Sequence, residues 1–340
     1  MVTVTKTRSR SIRVLALGGG TGLSMLLRGL KQYCAQLRED PRSRPSIQID
    51  AVVTVTDDGG SSGRLRREYS ILPPGDIRNC IVALSPDEAL LSRLFQYRFP
   101  GRRSGLGGHS FGNLFLAALT HITGDFPEAV RLSSNVLATR GRIFPSTAKN
   151  VTLRATLENG RTVIGETKIS RSPRRIRRVE LVPATARPLP DVIRAIHEAD
   201  LILFGPGSLY TSMIPNLLVR GVAGAIAKSG ATRVYIANLM TQPGETTGYS
   251  VADHVRAIDE HAGENLFDSI VLNTGAAPAH VLRRYRKEGA TPVDPSLKEL
   301  DAMGVEHVAG NLLQRGDVIR HDQRRLAKLI LDHYVYETHS

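Results

Sequence analysis

The chain has 340 residues, 41% hydrophobic and 23% charged, enough to bury a large core as a globular α/β protein of one or two domains. Its net charge of +13, from 45 Lys and Arg against 32 Asp and Glu, suits nucleic acid, an acidic surface or phosphorylated small molecules. The absence of Trp and an aromatic content of only 5% speak against a base-stacking surface and against a Trp-rich sugar cleft.

Residues 1–11 are expected to form a disordered basic tail, with "KTRSRSIR" (Lys6–Arg13) leading into only four apolar residues, too few for a signal peptide. The run "IRVLAL" then reads as a strand ending in "GGGTG", after which "LSMLLRGLKQY" has helical spacing. Glycines between a strand and a helix let backbone N–H groups approach a phosphate, although a tight turn would need them too. No G-K-[ST] follows, and the sixth position of a dinucleotide fingerprint is Leu23, so neither a Walker loop nor that fingerprint is present.

A second strand, "IQIDAVVTVT", ends in "DDGGSSG" before "RLRREY". Asp57 and Asp58 could position a ligand, a metal or a proton there, with Arg64, Arg66 and Arg67 as counter-charge. "PPGDIRN" brings Asp76, Arg78 and Asn79 to another helix start. Residues 85–140 read as mostly helical; "HSFGNLFLAAL" opens one helix with Asn113 in its first turn and His109 as a structural or capping histidine. Residues 146–182 read as strands, with Asn159-Gly160 as a hairpin turn, and "RSPRRIRR" (Arg171–Arg178) reads as a solvated basic face.

Three more strand–loop–helix units follow. "ADLILF" ends in "GPGS" with Ser208 at an N-cap position, "TRVYIANLM" in "TQPGET", and "DSIVLN" in "TGAAP". Asn238, Thr241, Glu245 and Tyr249 could read a base or sugar. In "RRYRKEG" one arginine could turn onto a phosphate, and "VIRHDQRRLAKLILDHY" reads as a closing amphipathic helix capped at His321-Asp322.

Strands alternating with helices imply a Rossmann-like, mostly parallel sheet with helices on both faces. We expect one domain over residues 12–340, with a small β-rich appendage at about 146–182. Ligands of such sheets bind beyond the strand carboxyl ends where strand order reverses, so the glycine-rich loops should converge on one site. Cys34 and Cys80 form no C-x-x-C, no zinc, helix-turn-helix or G-x-S-x-G signature appears, and no apolar run reaches the about 18–20 residues of a membrane span. A cytoplasmic protein with no membrane span and no specific nucleic-acid partner is expected.

The segments "LGGGTGLS", "TVTDDGGSSGRLRRE", "PPGDIRN", "HSFGNL", "GPGSLYTSMIPNLL", "NLMTQPGET" and "IRHD" resemble the YvcK branch of the CofD-like superfamily, the UPF0052 gluconeogenesis factors, over about residues 12–332. The resemblance implies a regulatory protein that binds a UDP-sugar such as UDP-N-acetylglucosamine and has no established catalytic residue. It also implies a need for the protein during growth on gluconeogenic carbon sources and in cell shape and wall synthesis. Cell-wall synthesis proteins are then candidate partners, and self-association is left open.

The expected ligand contacts are Gly19, Gly20, Thr21, Gly22, Gly205, Gly207 and Ser208 for the diphosphate and Asn238, Thr241 and Tyr249 for the uridine or sugar. Asp57, Asp58, Asn113 and, by motif matching, Arg284 complete the set. The sister branch consists of 2-phospho-L-lactate transferases that act on a deazaflavin precursor with Mg²⁺. That activity is the alternative, with Asp57 and Asp58 as its catalytic candidates, although "GGSSGRLRRE" replaces the transferases' aromatic acceptor-binding segment.

Overall fold

A computed structural model describes residues 11–38, 45–86, 89–101 and 105–336; apart from Ser11, the expected basic tail lies outside them. Ten strands are present among the described residues: β1 (Ile12–Gly18), β2 (Ile47–Val53), β3 (Arg142–Pro145), β4 (Thr152–Leu157), β5 (Thr162–Ile164), β6 (Ile176–Val182), β7 (Leu201–Phe204), β8 (Thr232–Ile236), β9 (Ser269–Asn273) and β10 (Glu306–Gly310). Seven form one parallel sheet in the order β10-β9-β8-β7-β1-β2-β3, and β5-β4-β6 form a small antiparallel sheet. β1 and β7 are buried on both faces, which is why they read as unbroken aliphatic runs rather than alternating ones.

The first helices are α1 (Gly20–Arg38), α2 (Gly60–Tyr69), α3 (Gly75–Leu84), α4 (Ala89–Gln96), α5 (Phe111–Thr123), α6 (Phe126–Val136) and the short α7 (Glu166–Ser170). α8 (Pro190–Glu198), α9 (Ile214–Leu217), α10 (Val222–Ala227), α11 (Val251–Ala262), α12 (Ala279–Lys287), α13 (Leu297–Ala302) and α14 (Gln323–Leu331) follow. α1 packs on α3 and α14, while α8, α9, α10 and α11 pack among themselves, giving helical layers on the two faces of the sheet. The α1–α14 contact is tight, since a Cβ on Gly29 would stand 2.2 Å from the Gln323 carbonyl oxygen. No helix among the described residues is long and apolar enough to cross a membrane.

The 146–182 region contains the expected hairpin, with Gly160 at φ +78°, and also α7, which the sequence reading missed. Its apolar side chains Leu153, Leu157, Ile169 and Val179 join the main core. Two polar ties fasten it further. The Val179 N–H on the outer edge of β6 donates to His261 Nε2 at 3.0 Å, and His261 Nδ1 lies 2.6 Å from the Ala257 carbonyl. At the N-terminus of α7, Asp58 Oδ1 accepts from the Thr167 N–H at 2.9 Å and from its hydroxyl at 2.6 Å.

Candidate functional site

β1 and β7 are neighbours, yet the chain leaves them in opposite directions: β1 leads to β2 and β3, and β7 to β8, β9 and β10. Beyond their carboxyl ends lies a cavity of about 1040 Å³, at the strand-order reversal where open parallel sheets bind ligands. The convergence expected of the five glycine-rich loops occurs in part: the loops after β1, β7 and β8 reach this cavity, and those after β2 and β9 do not line it.

The loops fit together backbone to backbone. A Cβ on Gly22 would stand 2.1 Å from the Pro206 carbonyl oxygen, so only glycine lets the first turn of α1 meet the loop after β7. Gly20 needs the same residue for another reason, its φ of +64°. Asn238 latches the third loop on: its Nδ2 donates to the Gly207 carbonyl at 2.9 Å, and its Oδ1 accepts from the Gly207 N–H at 3.3 Å. Ser208 makes no side-chain cap to the π turn at Leu209–Met213; its hydroxyl accepts from Gln242 Nε2 at 2.8 Å.

Of the residues expected to contact a ligand, Gly19, Gly20, Thr21, Gly22, Gly207, Ser208 and Asn238 line the cavity. Asp57, Asp58, Asn113, Gly205, Thr241, Tyr249 and Arg284 do not. Asp58 holds α7, as described above. Asp57 Oδ1 accepts from the Gly59 N–H at 2.8 Å and its carboxylate also bonds Ser62. The serines of this loop face protein too: Ser61 Oγ lies 2.9 Å from His109 Nδ1 and accepts from Asn113 Nδ2 at 3.0 Å, and Ser62 Oγ accepts from the Gly75 N–H. Arg64 donates to the carbonyls of Gly105 and Gly107, and Arg66 to Val151 O and Thr152 Oγ1. The double-aspartate loop is thus a second layer that fixes the appendage and α5.

Tyr249 is half-buried with its hydroxyl 2.9 Å from that of Tyr210, and Thr241 pairs with Thr291 at 3.3 Å. Arg284 turns outward to the Asp317 carbonyl. Its neighbour Tyr285, about 100° further round the same helix, is the one that lines the cavity, and its hydroxyl accepts from the Ile319 N–H at 3.2 Å.

Several cavity residues escaped the sequence reading. Arg28 from α1, and Arg320 and Arg324 beside the start of α14, line it, and among the described residues none of these guanidinium groups has a hydrogen-bonded or ion-paired partner. The signal lay in "IRHDQRR", which reads as a helix start; Asp322 does cap α14, accepting from the Arg324 and Arg325 N–H groups at 3.0 Å. His321 is buried at the cavity wall, and burial holds its imidazole down at about 4, neutral at ordinary pH.

The inner side is acidic. Glu166 at the start of α7 lines the cavity, and burial together with Asp57, Asp76, Asp58 and Glu245 holds its carboxyl well above the usual range. Asp76 sits beneath the β1–α1 loop, where burial and the Asp57 charge raise it to about 6 although it accepts a hydrogen bond from the Gly20 backbone. Its carboxylate therefore already occupies one N–H of the α1 N-terminus. Among the described residues no group of three or more His, Cys, Asp or Glu is arranged to hold a metal ion. The cavity pairs three arginines, Arg28, Arg320 and Arg324, with the carboxyl of Glu166, a set that can take an anionic phosphate at the arginines and a hydroxyl group at the carboxyl.

Comparison with known proteins agrees with this architecture. The CofD family, described as 2-phospho-L-lactate transferase CofD, matches residues 14–313. A protein of Bacillus subtilis named gluconeogenesis factor is 49% identical over 321 residues, covering 94% of this chain and 97% of its own. A putative gluconeogenesis factor of Nostoc sp. is 49% identical over 328 residues, covering 96% of this chain and 69% of its own. A crystal structure of a UPF0052-family protein from Bacillus halodurans superposes with a TM-score of 0.88 at 45% identity, over 95% of this chain and 99% of that one.

Proposed function

This chain belongs to the CofD family, among relatives named gluconeogenesis factors, and on that footing we propose that it is a cytoplasmic regulatory protein that binds a nucleotide sugar such as UDP-N-acetylglucosamine. The observation that carries this reading is the cavity at the β1/β7 reversal, where Arg28, Arg320 and Arg324 stand without partners among the described residues, beside the glycine-rich start of α1. Arginines in that state suit the oxygens of a diphosphate, and the adjoining helix start adds N–H donors. Asn238, Gln242 and Tyr285 form the wall available to the uridine and sugar. A role in growth on gluconeogenic carbon sources and in cell shape and wall synthesis, through cell-wall synthesis proteins, completes the proposal.

The test is a thermal-shift titration with UDP-N-acetylglucosamine, UDP-glucose, GTP and GDP, each with and without Mg²⁺. A ligand at 100-fold its Kd stabilises by about 2.7 kcal/mol. Stabilisation by the UDP-sugars is expected; stabilisation by guanine nucleotides alone would sink the reading.

A second reading, 2-phospho-L-lactate transfer, is favoured by the family match and by the raised carboxyls of Glu166 and Asp76 next to the cavity. Mg²⁺ in such a reaction would be held by Glu166 together with phosphate oxygens, since this ion needs only one or two protein carboxylates. Turnover of an activated phospholactate donor with a deazaflavin acceptor would establish it.

A further inference from the structure

Of the twelve large apolar side chains exposed among the described residues, five fall between Leu90 and Leu106. Leu90 is 76% exposed, Leu91 and Leu94 39% each, Tyr97 49% and Leu106 56%. Leu90, Leu94 and Tyr97 recur at helical spacing along α4 and just past its end, so they share one outward face. The opposite face is anchored: Phe95 is buried against Phe115 at 5.1 Å and Phe111 at 6.0 Å.

Leu106 is exposed by construction. Phe99 exchanges backbone hydrogen bonds with His109 and Gly108, and Arg64 donates to the carbonyls of Gly105 and Gly107 on either side of it. A side chain held out between two clamped carbonyls cannot fold back to bury itself.

Two features bear on what covers this face. None of the five side chains lines the cavity at the β1/β7 reversal or the cleft between β2, β3 and α6; they stand on an outward face. Between Leu90 and Leu106 the sequence carries four arginines, Arg93, Arg98, Arg102 and Arg103, and no Asp or Glu, with Asp87 and Glu88 directly before α4; Arg93 and Arg98 are exposed, on a protein of net charge +13. A second copy docked on the same face would set these arginines against each other. An anionic bilayer needs no groove and complements the charge, because leucines and a tyrosine can enter the acyl boundary while arginines meet the headgroups.

We infer that the outer face of α4, with Tyr97 and Leu106, is a peripheral docking surface for anionic lipid membranes. The face rests on different residues from the nucleotide cavity, so either proposal can fail alone.

The test is co-sedimentation of the full chain with vesicles of phosphatidylcholine alone or containing phosphatidylglycerol, at low and high salt. Binding is expected only with phosphatidylglycerol and weakens as salt rises. Leu90→Glu with Leu94→Glu should reduce it at least tenfold without changing the melting temperature. Ile164→Glu, on an exposed apolar residue of the small sheet, should leave it unchanged. Absence of binding to anionic vesicles overturns the inference, as does binding that the leucine pair does not affect. Sedimentation of the wild-type protein as a dimer that the same pair dissociates would also overturn it, assigning the face to a second copy.

Discussion

Asp58 and Thr167 lie 109 positions apart and are joined twice, the Asp58 Oδ1 accepting from both the backbone N–H and the hydroxyl of Thr167. The second carboxylate of the "DDGG" loop is therefore spent on capping α7 and tying the small sheet to the large one. Asp58→Ala should lower stability by about 1–2 kcal/mol, the usual cost of losing a helix cap. Ligand affinity should stay within about twofold. Urea denaturation and ligand titration of the same variant measure the two effects; a large loss of affinity at unchanged stability would return Asp58 to the ligand site.

Glycines in this chain do different work at different places. Gly22→Ala puts a methyl 2.1 Å from a backbone carbonyl and should cost about 1–3 kcal/mol or more while weakening ligand binding. Gly224 lies inside α10 with nothing within 4 Å of an added Cβ, so Gly224→Ala should be neutral or stabilising by up to about 1 kcal/mol. Paired melting curves decide this, and equal effects at the two sites would mean that the loop after β7 does not press on α1.

Arg320→Ala should weaken nucleotide-sugar binding about 10- to 100-fold, the loss of charge-assisted hydrogen bonds worth about 1.5–3 kcal/mol. Its effect on stability should be small, since the side chain is exposed and has no partner among the described residues. Tyr249→Phe should do the reverse, removing the contact with the Tyr210 hydroxyl for about 1 kcal/mol and leaving affinity unchanged. Isothermal titration of both variants separates cavity residues from supporting ones.

Asp76 gives a pH dependence of definite sign. Its carboxyl is raised from 3.8 to about 6 in the folded protein, so the native state holds this proton more tightly than the unfolded chain. The resulting stabilisation is fully present below pH 3.8 and is lost as pH rises through 6. Asp76→Asn should thus be more stable than the wild type at pH 7.5, by up to about 3 kcal/mol, and the advantage should vanish near pH 4. His321 works in the opposite sense, its stabilisation being lost as pH falls from 6.5 towards 4, but it is common to both proteins and cancels in their difference. Denaturant midpoints across pH 4–8 provide the check; a pH-independent difference would show that Asp76 ionises normally.

The parallel sheet, its order of strands and helices and the meeting of three of the glycine loops were legible in the chain because they rest on local properties. A buried parallel strand must be aliphatic on both faces, and a strand must end in small residues where loops pack closely, as Gly22 does on Pro206. Those constraints leave marks within ten residues of sequence. What the loops surround was not legible, because it depends on direction rather than proximity. Arg284 and Tyr285 are neighbours in sequence, yet one faces Asp317 and the other the cavity, a difference set by a helix rotation of about 100° per residue. Asp57 and Asp58 looked like site residues because two adjacent carboxylates seem to need a function; the fold gave them Gly59, Ser62 and Thr167 as partners instead. Arg28, Arg320 and Arg324 come from the first and last parts of the chain, and only the packing of α1 against α14 sets their charges around one cavity.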